Sequence, residues 1–175
     1  MPPAAGGQPA LRERPCAPPR RNPHGMNAQG CLVFELKNDI RELAALSRHV
    51  EALGRQAGIP ARTLLEVNLA LDELFTNIIT YGFPQGGEHR IRFHLRADPR
   101  RLTIVIEDEG VPFDPVACAP AQAPCPLEER RVGGLGLHLV RNLMDEMSYR
   151  RTQGKNVLTL RKRIERQEPP ACEAG

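Results

Sequence analysis

The chain has 175 residues, 41% hydrophobic and 26% charged, enough for one globular domain with a sizeable core and not comfortably two. Its net charge of +3 lies in residues 1–30, which hold four Arg and one Glu, while the other 145 residues carry 20 basic and 20 acidic side chains and so offer nucleic acid no basic excess. Two Tyr, five Phe and no Trp give no base-stacking platform, no apolar run approaches a membrane span, and without a signal-peptide pattern the protein is expected to be cytoplasmic.

Residues 1–30 contain seven prolines among Gly, Ala and Arg and are expected to form a disordered tail, because they cannot bury enough apolar surface to offset chain entropy. Residues 31–164 read as one domain and 165–175 as a frayed tail. The cysteines at 16, 31, 118, 125 and 172 form no disulfide framework or CxxC pair and read as reduced thiols.

Cys31 to Leu36 alternates as a strand does. Asn38 is the expected cap of a helix over about 39–57, whose apolar residues Leu43, Leu46, Val50, Leu53 and Ala57 repeat at helical spacing before Gly58 ends it. Pro60 opens a second helix, about 61–80, with a core stripe of Leu64, Val67, Leu71, Leu74 and Ile78. Strands follow near 89–97 and 101–108. Residues 109–132, with five prolines and four alanines, make a long loop, which in a small domain is usually functional or mobile. A helix over about 134–147 comes next, then strands near 148–153 and 156–163 flanking a Gly154-Lys155 turn. The order β-α-α-β-β-loop-α-β-β predicts a two-layer α/β sandwich with a mixed, mostly antiparallel sheet and its helices on one face.

Three segments carry candidate chemistry. In the second helix Glu73 and Asn77 stand one turn apart on one side of an otherwise apolar stretch, where a carboxylate and an amide need partners. A metal-bound nucleotide would supply them; a solvent-facing polar stripe continued by Glu66 and Ala70 fits the same spacing. In IEDEGVPFDP an apolar strand ends in Asp108, an acceptor for an exocyclic amine, and Gly110 lets the backbone approach a ligand; an ordinary acidic turn fits equally. In RRVGGLGLHLVRNLMD the glycines at 133, 134 and 136 precede an amphipathic helix, whose free N–H groups and dipole suit a phosphate. Neither the dinucleotide fingerprint nor a Walker A loop is present.

Taken together, DELFTNIITYGF, EDEGVPFDP and GGLGLHLVRNLMD resemble, in order and spacing, the N, G1 and G2 boxes of the histidine-kinase-like ATPases, over roughly residues 32–163. They look most like the branch of anti-sigma-factor serine-protein kinases. The resemblance implies a Bergerat-type ATP-binding fold using ATP and Mg²⁺. It implies Glu73 as general base, Asn77 as the Mg²⁺-holding amide, and Asp108 with Gly110 at the adenine. Gly134, Gly136 and Leu137 would lie at the phosphates, residues 115–132 would form the lid, and Arg131 or Arg130 would reach the γ-phosphate. The implied partners are an anti-sigma-factor antagonist or a sigma factor, with the chain as a homodimer; a nucleotide-dependent binding module without kinase activity is the alternative. The sequence departs from the family pattern at Val111-Pro112, where a second glycine is common, and at Lys155-Asn156, where Gly-Thr is common, which leaves a water-mediated adenine contact open.

Overall fold

The computed structural model describes residues 30–117 and 134–165. The expected N-terminal tail, most of the expected lid, Arg130 and Arg131, and the last ten residues lie outside the described residues.

The elements run β1 (Cys31–Lys37), α1 (Leu43–Ala57), α2 (Ala61–Tyr81), β2 (Arg90–Ala97), β3 (Arg101–Asp108), α3 (Gly134–Leu143), β4 (Glu146–Thr152) and β5 (Lys155–Arg163). The five strands lie in the order β1-β2-β3-β5-β4, and all four pairings among the described residues are antiparallel, so the sheet is antiparallel throughout and not mixed: each neighbour in the order runs back along the last. Period-two alternation turns Phe34, Phe93, Ile104 and Leu160 toward the helices, where they form one core with Leu46, Val50, Leu71 and Phe75. Phe75 of α2 meets Phe93 edge-on at a centroid distance of 5.8 Å. The other face of the sheet is charged, with Arg92 bonded to Glu35.

Three local expectations shift. Asp39, not Asn38, caps the start of the first helical segment: its carboxylate accepts from Arg41 N over a short 3₁₀ turn, Ile40–Glu42, that leads into α1. Asn38 instead clips the chain before β2, with Oδ1 accepting from His89 N at 2.9 Å and Nδ2 donating to Gly87 O at 3.0 Å. Helix α3 stops at Leu143 rather than Met147, because Asp145 N donates to Arg161 O and strand pairing with β5 takes over. The β4–β5 turn falls on Gln153 and Gly154, both at positive φ (51° and 79°), as a tight hairpin twisted to match its strands requires.

Candidate functional site

The long helix α2 organises the site. Its inner stripe, Val67, Leu71, Leu74 and Phe75, is fully or almost fully buried and fixes the helix on the sheet. That packing sets Glu73 on a flank that meets the start of α3, with Asn77 one turn further along the same side of α2. At Gly136, a Cβ would fall inside the contact distance of a Glu73 carboxylate oxygen and 3.1 Å from its Cδ. The carboxylate therefore rests against the bare backbone of the first turn of α3, where helix geometry leaves N–H groups without intrahelical partners. Glu73 and Gly136, 63 residues apart in the chain, are thus brought together. Asn77 buries its amide nitrogen without a hydrogen-bond partner among the described residues. Rotating the amide exchanges nitrogen for oxygen, so the position suits either a phosphate oxygen or a metal-bound water. The residues present therefore fit a magnesium-bound phosphate group between α2 and α3.

At the C-terminal end of α2, just beyond Asn77, the chain meets the loop after β3. Val111 N donates to Gly82 O at 2.8 Å, and a Cβ on Gly110 would stand 2.7 Å from that same carbonyl oxygen. Only glycine lets the loop lie this close. Asp108, 6% exposed, ends β3 beside it. Its Oδ1 accepts from Gly110 N and from Asn156 Nδ2, each at 2.8 Å. Burial pushes the Asp108 carboxyl above the usual carboxylate range, against the hydrogen bonds from Asn156 and Gly110 and the charge of Arg151. Both hydrogen bonds among the described residues land on Oδ1, which leaves Oδ2 as an acceptor.

Leu137 can meet a phosphate only through its backbone. Its side chain is 6% exposed and packs in the core with Val140 and Met144, where it anchors α3. Gly134 begins α3, beside the residues outside the description. His138 is exposed and sits 3.1 Å from Asn142 Nδ2, and His49 stacks on Phe34 at 4.0 Å.

The sequence profile of the histidine kinase-like ATPase domain matches residues 36–162, from the last residues of β1 almost to the end of β5. The chain belongs to the histidine kinase-like ATPase family. Among similar proteins, the "Serine-protein kinase RsbW" of Halalkalibacterium halodurans is 29% identical over 123 residues, covering 68% of this chain and 74% of that protein. The "Serine/threonine-protein kinase BtrW" of Bordetella bronchiseptica is 34% identical over 100 residues, 57% of this chain and 70% of that one. The "Serine-protein kinase RsbW" of Listeria innocua is 26% identical over 133 residues, 73% and 82% of the two chains.

Against this histidine kinase-like ATPase framework two residues stand out, Asn156, which the sequence marks only as a departure from the family pattern, and Lys162, which it does not mark at all. Asn156, 6% exposed, is directly across from Asp108 in the β3–β5 register and makes the bond to its carboxylate. Lys162 donates to Glu66 at 2.6 Å and to Leu143 O at 2.7 Å, tying the last carbonyls of α3 to α2 through β5. The inward parity of Asn156, Leu158, Leu160 and Lys162 along β5 was readable; the partners across the sheet were not. Glu66 is thus paired and not part of a free polar stripe, and Lys162 holds its carboxyl below the usual range, with Arg62 adding to the effect.

Proposed function

We propose that this chain is an ATP-dependent serine-protein kinase that acts on a small partner protein and serves as an anti-sigma regulatory factor. The observation that carries the reading is the rest position of the Glu73 carboxylate against the glycine-bearing start of α3. That arrangement puts a candidate proton acceptor beside N–H groups suited to a terminal phosphate. The names of the similar proteins, serine- and serine/threonine-protein kinases at 26–34% identity, support the same chemistry.

In this reading the adenine amine is received by Asp108 Oδ2, with Gly110 giving the base room. The 1.5 Å rise of a helix puts Glu73 and Gly82 about 14 Å apart along α2, of the order of an extended nucleoside triphosphate. Asn77 would hold Mg²⁺, which neutralises phosphate charge when bound. Glu73 takes the proton of the partner's serine hydroxyl as that oxygen bonds to the terminal phosphorus and the bond to the bridging oxygen breaks, releasing ADP. Gly134 and Gly136 offer backbone donors to the phosphates, and Arg131 within the expected lid, about 115–132, adds charge to the terminal one. The partner is an anti-sigma-factor antagonist, with a sigma factor as the second client, and the kinase acts as a homodimer in the cytoplasm. Among the described residues no helix is long and apolar enough to cross a membrane.

The test is terminally labelled ATP with purified candidate partners, followed by phosphosite mapping. Phosphoserine on one small partner supports the kinase. ATP and partner binding with no transfer from the wild type would leave a nucleotide-dependent sequestration module in its place.

A further inference from the structure

Asn156 is saturated. Its Nδ2 donates to Asp108 Oδ1 at 2.8 Å and to Val111 O at 3.1 Å, while its Oδ1 accepts from Arg151 Nη1 at 2.6 Å and from Tyr149 Oη at 2.9 Å. A guanidinium can only donate and a carboxylate, ionised, can only accept, so these partners fix which end of the amide is which. Reversing it would set N–H against N–H at Arg151 and oxygen against oxygen at Asp108. Arg151 Nη1 also donates to Gly110 O at 3.0 Å, so the same group braces the loop that follows Asp108.

We infer that Asn156 is a positioning residue for base selection: it occupies Asp108 Oδ1 so that Oδ2 alone meets the base, and thereby sets a preference for a 6-amino over a 6-oxo purine. This inference rests on nucleotide binding at Asp108. With Oδ1 already accepting from Gly110 N and Asn156 Nδ2, an added proton goes to Oδ2. That one event converts the facing atom from acceptor to donor, from a match for adenine to a match for hypoxanthine. The preference must therefore decline in acid, at a pH that Asn156 controls, because its hydrogen bond favours the ionised carboxylate.

Asp108 shares a shallow cavity with Glu35, Glu88, His89, Arg90, Arg92, Glu107, Glu109 and Lys155, so the carboxyl titration is read on Asp108 itself and not from the nucleotide ratio alone. From β4, Tyr149 and Arg151 reach it through Asn156. From β5, Lys155 is paired with Glu109 at 3.2 Å, and the end of α2 contributes the Gly82 carbonyl. Arg151 favours the charged form of Asp108, as Asn156 does.

The test uses the full chain and compares ATP with inosine triphosphate, which carries a 6-oxo group, by calorimetry from acid to neutral pH. Their affinity ratio cancels the titration of the phosphates. A parallel ¹³C titration follows the Asp108 carboxyl without nucleotide. Asn156→Leu and Asn156→Ala both delete the donor, one keeping volume and one certain to fit, and Asn156→Thr restores a hydroxyl donor. In wild type the ATP:inosine triphosphate ratio should fall as pH is lowered. In the donorless variants it should drop about tenfold or more at neutral pH. Their Asp108 titration should move to higher pH, and threonine should recover part of both effects. An unmoved carboxyl titration in folded Leu and Ala variants overturns the inference, whatever the nucleotide data. A moved titration with an unchanged ratio overturns it too, while wild type that binds neither nucleotide overturns the functional reading on which it rests.

Discussion

Gly136→Ala separates folding from chemistry at the point where α2 and α3 meet. The new Cβ would lie 3.1 Å from Glu73 Cδ and closer still to one carboxylate oxygen. Carbon–carbon contact settles at about 3.5–4.0 Å, so the carboxyl group must retreat by something on the order of 1 Å. It can, because the obstacle is the end of a flexible side chain and not backbone. The helix itself gains, since alanine is favoured over glycine by up to about 1 kcal/mol in a helix. The variant should therefore melt at or above the wild-type temperature. A displacement of about 1 Å in a reacting group costs about 10²-fold in rate, and phosphotransfer to a partner serine should fall by that order. Differential scanning fluorimetry and a quantitative phosphoserine assay on one preparation read both. A well-folded Gly136→Ala protein that phosphorylates at the wild-type rate would refute the claim that Glu73 works from this position.

Gly110→Ala should behave in the opposite way, because its Cβ meets the Gly82 backbone carbonyl at 2.7 Å, which cannot swing aside; a loss of about 1–3 kcal/mol in chemical denaturation is expected. Asp108→Asn removes a buried charge whose carboxyl is pushed up by burial. A raised folded-state pKa means that the penalty is full at pH above that value and is relieved as pH falls through it toward the unfolded-state value, so the variant should be the more stable at pH 7 and the gap should close in acid. The same change should weaken ATP binding about 10–100-fold by calorimetry, the worth of a hydrogen bond to a charged acceptor. Lys162→Met leaves the Leu143 carbonyl without this donor and Glu66 with Arg62 alone, and should cost about 1–2 kcal/mol. Because Lys162 lowers the Glu66 pKa, that contribution is present above the unfolded-state value and is lost as pH falls through the folded one, so wild type and variant should converge in acid.

Much of this fold is written in periodicity. The stripe Val67, Leu71, Leu74 that fixes α2, and the alternation that buries Phe93 and Ile104, are both local patterns, and they bring the helices to one face of the sheet. What local pattern does not carry is the competition between neighbours. Residues 144–147 continue a helical repeat, yet Asp145 joins β5 because Arg163 N and Nε offer its carboxylate two bonds at 2.6 and 3.1 Å. Leu137 follows the glycines and so reads as part of a ligand-facing turn, but the helix rotates it into the core. Lys155-Asn156 reads as the loss of a family feature. Only the register, which sets Asn156 opposite Asp108, turns it into a gain of a buried hydrogen bond.

The most direct measurement is made on Glu73→Gln, which keeps the size and hydrogen bonding of the side chain and removes its basicity. ATP affinity by calorimetry and phosphoserine formation by mass spectrometry are read on the same preparation, with the partner identified by labelled transfer. The account predicts near-normal ATP and partner binding with phosphotransfer reduced about 10²–10⁴-fold, the usual worth of a general base. Phosphotransfer at the wild-type rate by Glu73→Gln would contradict it.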